Sequence, residues 1–95
     1  MEKIVEKACH NPAILFDIKN RGYIREGFFA DLVIIDLDKK HTVNKKDLLY
    51  KCGWSPFEGI TFKGIVEKTL LNGQWVYNQG KILPKSAAMA LTFDR

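Results

Sequence analysis

The residues able to do chemistry are few and scattered. Two histidines, His10 and His41, and two cysteines, Cys9 and Cys52, are the strongest metal-ligating types in the chain. No H-x-H pair and no C-x-x-C pair is present, and the spacing of the four matches no standard zinc pattern. His10 falls near the end of an expected helix, where the dipole favours a partly charged imidazole. His41 sits beside Lys39 and Lys40 in an expected exposed turn. Asp31 and Asp36 flank an apolar run and could form a carboxylate pair. Their simpler role is to mark strand ends and bond local backbone groups. Ser55 and Ser86 lack the G-x-S-x-G setting of a nucleophile. Gly22 and Gly27 are not followed by Lys-Ser/Thr, so they form no phosphate loop. We therefore assign no catalytic, substrate-binding or metal-binding residue.

Two binding chemistries remain. Trp54, Phe57, Trp75 and Tyr77 could stack on bases, but aromatics of this kind more often fill cores and interfaces. Fifteen Lys and Arg against eleven Asp and Glu give a net charge of +4. The basic residues are interleaved with acids from Glu2 to Asp94. The densest stretch, Lys39-Lys40-His41 with Lys45-Lys46, fits a solvated face better than a phosphate patch. A free-standing basic module built on Lys39–Lys46 is the alternative reading. Our expectation is no nucleic-acid partner and no membrane partner.

The elements that would position these residues follow from patterning. Ile4, Val5, Ala8 and Cys9 share a helical face, so residues 2–10 are expected to be a short helix. Asn11 as N-cap and Pro12 at the first position predict a second helix over 12–16. Gly22 and Gly27 bracket an extended piece, Tyr23–Arg25. Leu32–Ile35 is four apolar residues in a row, three of them β-branched. Such a run predicts a central strand buried on both faces. Asp38–Lys40 is an expected turn and His41–Val43 a short strand. Asn44 with Asp47 suggests a capped helical turn, followed by inward-packing Leu48, Leu49 and Tyr50. The apolar loop from Cys52 to Gly59 should fold against something. A strand over 63–71, the hairpin dipeptide Asn72-Gly73, a return strand 74–77, a turn at Asn78–Gly80 and a last strand 81–83 ended by Pro84 complete the pattern.

The whole is an α+β chain, mainly β. We expect a small mixed sheet of about five strands, or a partial β-sandwich, with short N-terminal helices. Hydrophobic content of 46% with 27% charged excludes a disordered chain. Both cysteines are expected to be buried free thiols, which suits a reducing, cytoplasmic location. Charges at Glu2, Lys3, Glu6 and Lys7 argue against a signal peptide. No apolar run approaches a membrane span.

Several pieces together resemble the cyclic amidohydrolases: dihydroorotases, hydantoinases, dihydropyrimidinases and allantoinases. They are Asn11-Pro12-Ala13-Ile14-Leu15-Phe16, then Arg21-Gly22-Tyr23-Ile24-Arg25-Glu26-Gly27, then Ala30-Asp31-Leu32-Val33-Ile34-Ile35-Asp36. Ser55-Pro56-Phe57-Glu58-Gly59 and the hairpin from Val66 to Gly80 follow in order. In that family the first pieces resemble the exit from the catalytic barrel into a small β domain. The segment Tyr50–Pro56 and the ending Leu91–Arg95 look most like a dihydroorotase. The resemblance implies a parent enzyme that interconverts dihydroorotate and N-carbamoyl-aspartate in pyrimidine biosynthesis. It implies zinc, held by an H-x-H pair, a carboxylated lysine, two more histidines and an aspartate at barrel strand ends. None of that set matches positions here, so no cofactor is expected in this chain.

A barrel needs about 250 residues, so none fits within 95. The resemblance thus implies three parts. Residues 1–20 would be helices from the end of the missing barrel, 21–84 a small β domain and 85–95 a tail. The expected partner is the missing barrel of the same enzyme. The apolar helix faces left bare could also drive a homodimer or a domain swap.

Overall fold

A computed structural model describes residues 1–83 and 88–94. The expectations for Pro84, Ser86 and most of the tail's start lie outside the described residues. The fold class is as expected: α+β, with short N-terminal helices and one small sheet.

The N-terminal helices are joined rather than separated. Helix α1 (Glu2–Val5) runs through a π-helical turn (Glu6–His10) into α2 (Asn11–Leu15). Asn11 is therefore no N-cap: its φ and ψ are helical, and its N–H bonds the carbonyl of Glu6, five residues back. The reason lies in Pro12. Its ring lacks an N–H and crowds the carbonyl four residues before it. A turn widened by one residue just upstream lets the helix continue past the proline instead of restarting. The helix ends at Phe16 (φ −100°), and Asp17 then takes a positive φ of 54°.

Four strands form one sheet in the order β1 (Leu32–Thr42), β2 (Thr61–Leu71), β3 (Gln74–Asn78), β4 (Lys81–Ile82). Each neighbouring pair is antiparallel. The count is four among the described residues, against about five expected, and no parallel pair of a mixed sheet is present among them. The expected short strand at His41–Val43 is the end of β1, which leaves four, and two-residue turns make the last two pairings antiparallel. Asn72 and Gly73 have φ of 47° and 76°, and Gln79 and Gly80 have 46° and 88°. Two successive positive φ values define the type I′ turn, which joins only antiparallel neighbours.

β1 differs most from its sequence expectation. It runs eleven residues, through the expected turn at Asp38–Lys40, which survives as a break in register between Asp36 and Lys40. There Asp36 Oδ1 accepts the N–H groups of Asp38 and Lys39. The strand lies at the sheet edge, not its centre, and Val33, Ile34 and Leu37 are about half exposed. The apolar run is real, but the layers that would cover it are absent. Among the described residues no helix packs on any strand; contacts between elements run helix to helix and strand to strand.

The same absence accounts for other corrections. Leu49 and Tyr50 are exposed rather than inward, and the Trp54 and Phe57 loop stands in solvent. The Phe57 ring meets Phe62 edge-on, with centroids 5.8 Å apart. Cys9 and Cys52 are free, but both are exposed rather than buried. A 3-10 turn (Lys45–Asp47) forms where the helical turn was expected, without a side-chain cap bond from Asn44. Among the described residues, Ala13 alone is buried.

Candidate functional site

The residues singled out for chemistry are not brought together. No three His, Cys, Asp or Glu side chains gather in a metal-holding group among the described residues. His10 stacks on Tyr23, rings 4.1 Å apart and nearly parallel, and Arg25 lies 4.1 Å from the same ring. His41 sits on β1 opposite Phe62. Ser55 Oγ accepts the N–H of Phe57, a local turn bond. Lys39 pairs with Glu67 at 3.1 Å, and Lys63 lies 3.8 Å from Asp38. The basic stretch is thus partly neutralised by its own sheet. The residues present offer no donor set for the zinc that the resemblance implies, and no catalytic step is derived through it.

Asp31 and Asp36 do different jobs. Asp36 bonds local backbone, as expected. Asp31 reaches across the molecule. Its Oδ1 accepts the backbone N–H of Asn72 at 2.8 Å, and its Oδ2 accepts from Arg21 Nε at 2.9 Å. Beside it the Gly73 N–H donates to the Ala30 carbonyl at 3.1 Å. Arg21 lies 4.0 Å over the ring of Phe29. One carboxylate therefore ties the loop after the helix, the start of β1 and the β2–β3 turn. Burial pushes the Asp31 carboxyl up. The Asn72 N–H and the bond and charge of Arg21 more than offset that, so its pKa falls below the ordinary value.

The helix is held to this clamp by Gly22. Its φ is +86°, and a Cβ there would lie 2.5 Å from Ala13 Cβ and 2.7 Å from the Cys9 carbonyl oxygen. Only glycine permits that approach. The backbone of the loop also pairs with the tail: Lys19 N–H bonds the Thr92 carbonyl, and Asp94 N–H bonds that of Asp17. Between these paired segments and the helix lies an open groove of about 440 Å³, lined in part by Ile14, Lys19, Arg21, Tyr23 and Arg25. It holds no nucleophile paired with a base. The arrangement is a mechanical junction.

Arg21 and Asn72 were not picked out as a pair by sequence reasoning. Both lie in runs it did quote, and the signal was an acid opening an apolar strand while an Asn-Gly turn waited for an acceptor.

The junction coincides with the stretch shared with known proteins. The amidohydrolase family profile matches residues 1–76. A dihydroorotase of Pyrococcus horikoshii is 40% identical over 82 residues, which is 86% of this chain and 19% of that protein. An allantoinase of Desulfitobacterium hafniense is 38% identical over 81 residues, 85% of this chain and 18% of its own length. Among solved structures, the L-hydantoinase (dihydropyrimidinase) from Arthrobacter aurescens superposes with a TM-score of 0.78 at 34% identity, covering 87% of this chain and 19% of that one. The chain spans about a fifth of the length of the curated relatives it matches. With four fifths of its sequence inside the family profile and the same fold in a solved relative, the chain belongs to the amidohydrolase family.

Proposed function

We propose that this chain is the C-terminal β-domain portion of a dihydroorotase and that its work there is structural. Residues 1–20 end the barrel, 21–84 form the β domain and 85–95 are its tail. The parent enzyme, zinc-dependent and cytoplasmic, reversibly hydrolyses dihydroorotate to N-carbamoyl-aspartate. The chain supplies no residue to that chemistry. It fixes the angle between the last barrel helix and the sheet, through Gly22 and the Asp31 clamp.

The observation that carries this reading is the chain's exposed surface. It exposes 7741 Å², whereas a monomer of this size exposes about 5,600 Å². Its radius of gyration is 15.4 Å, against about 12 Å for a compact domain of this length. A chain with ordinary globular composition and such a surface supports a role as one part of a larger body.

The test is complementation. The chain is produced alone and together with the barrel-bearing portion of a dihydroorotase, both supplied with zinc, and dihydroorotate hydrolysis is followed. Turnover is expected only from the pair. Turnover by the chain alone overturns the reading. The allantoinase and L-hydantoinase relatives motivate a second reading, a parent acting on another cyclic amide. Running allantoin and hydantoin beside dihydroorotate in the same assay decides between them.

A further inference from the structure

We propose that Asn72 is a modification site: its side chain is lost as ammonia by deamidation, and the Asp31 clamp holds that reaction silent until the clamp opens. The inference goes beyond the structural role above and does not depend on the parent enzyme's substrate.

The chemistry belongs to the Asn72-Gly73 dipeptide. An asparagine side chain is attacked by the backbone nitrogen of the next residue, and a side chain on that residue hinders the approach. The five asparagines of the chain precede Pro12, Arg21, Lys45, Gly73 and Gln79. Asn72 is the one followed by glycine, and the proline after Asn11 has no N–H to react. Base removes the Gly73 amide proton, and the nitrogen bonds to Asn72 Cγ. The Cγ–Nδ2 bond breaks, and the amide nitrogen leaves as ammonia with a proton from water. Water then opens the five-membered imide at either carbonyl, giving an aspartyl or an isoaspartyl residue. Nothing is oxidised or reduced, and water is the only co-reactant.

The fold opposes each requirement. The Gly73 N–H donates to the Ala30 carbonyl at 3.1 Å, so the proton that must leave is held. The Asn72 N–H donates to Asp31 Oδ1 at 2.8 Å, which fixes the same residue from its other side. The pair sits in a type I′ turn, with φ of 47° and 76°. The flat imide ring needs the Asn72 ψ of a type II′ turn instead, about 150° away. Rotating the peptide that far breaks the bond to Ala30. An open clamp leaves an Asn-Gly peptide free to make that rotation.

The product also acts on the clamp. Either form carries a second carboxylate on the residue whose N–H Asp31 accepts, and like charges repel. The isoaspartyl form adds a backbone carbon inside the two-residue turn that sets Leu71 opposite Gln74. A chain that has reacted therefore does not close the junction again.

The chain is incubated in mildly alkaline buffer, with and without urea. Peptide mapping by mass spectrometry and enzymatic methylation of isoaspartate follow each asparagine. In urea, Asn72 is expected to convert faster than the other four. In buffer its rate should be at least about tenfold lower, because reaction waits on local opening. Asp31→Ala should raise the rate in buffer at least about tenfold, the factor for losing one hydrogen bond to a charged group. It should leave the rate in urea unchanged. To separate the clamp from unfolding at large, the parent chain is brought by urea to the circular dichroism signal of the variant, and should still convert more slowly. Equal rates at matched signal overturn the proposal. So do equal rates for the parent chain in buffer and in urea, and conversion of Asn78 as fast as Asn72 in urea. None of these outcomes touches turnover by the chain and barrel portion together, so the proposed function stands or falls separately.

Discussion

At Gly22 the geometry permits one residue type. The φ of +86° strains any side chain, and the Cβ would press on the Ala13 methyl and on the Cys9 backbone. Gly22→Ala should cost at least about 2 kcal/mol, from positive-φ strain and overpacking together. The midpoint of urea unfolding, followed by the helical circular dichroism signal, measures it. Gly27, with no atom within 4 Å of its Cβ position, is the control, and its alanine variant should lose only the positive-φ contribution. Asp31 makes a pH prediction. Its folded pKa lies below the unfolded value of about 3.9. Its contribution to stability is therefore complete above that value and is lost as pH falls through the lower, folded one. Asp31→Asn should lower the midpoint at pH 7 and flatten the loss of stability below pH 4. A variant whose acid profile matches the parent chain would refute the clamp. Asp31 was legible as a strand-end acid, because its type and position say so. Its true partner was not, because a bond spanning 41 residues depends on where the Asn-Gly turn lands.

The elements divide by how local their causes are. The Asn72-Gly73 turn was legible, because that dipeptide favours two successive positive φ values and a two-residue loop settles the pairing by itself; the second was legible only as a turn over Asn78–Gly80, and its two-residue form at Gln79-Gly80 is seen in the structure. Gly73→Ala, at φ +76°, should cost about 1–2 kcal/mol of hairpin stability, read as a lowered denaturation midpoint with an unchanged slope. The π turn was illegible, since the same Asn-Pro pair can open a helix or be absorbed by one. β1 shows a deeper limit. An apolar run records that a strand is meant to be covered; it does not record that the cover belongs to this chain. Helix α2 makes the same point: Ile14, Leu15 and Phe16 are 63%, 74% and 50% exposed on a helix whose pattern demands burial. Leu15→Lys should leave the circular dichroism of the isolated chain unchanged. It should weaken binding to the barrel portion at least about tenfold, the factor expected when one buried leucine is lost. Equal binding by the variant would show that this helix face is not the contact.

For the whole molecule, surface decides behaviour. With Ala13 the only buried residue among those described, most backbone hydrogen bonds lie one layer from solvent. Hydrophobic burial is the main term opposing chain entropy, and here it is unusually small. What order exists alone must come from local devices, the two tight turns and the helix ratcheted past Pro12, together with the long-range Asp31 clamp. Hydrogen exchange separates these contributions, because protection scales with the free energy of local opening. In the isolated chain at dilute concentration, protection should concentrate in the β2–β3 ladder and at Asn72, whose N–H is held by Asp31. The β1 amides should exchange fast, being at an edge with neither face covered. Adding the barrel portion should slow exchange in β1 and α2 far more than in the β2–β3 hairpin, since the new layer covers what was bare and leaves what was already paired. Uniform slowing across all four strands would mean instead that the chain folds only on binding, and the local devices would then hold nothing on their own.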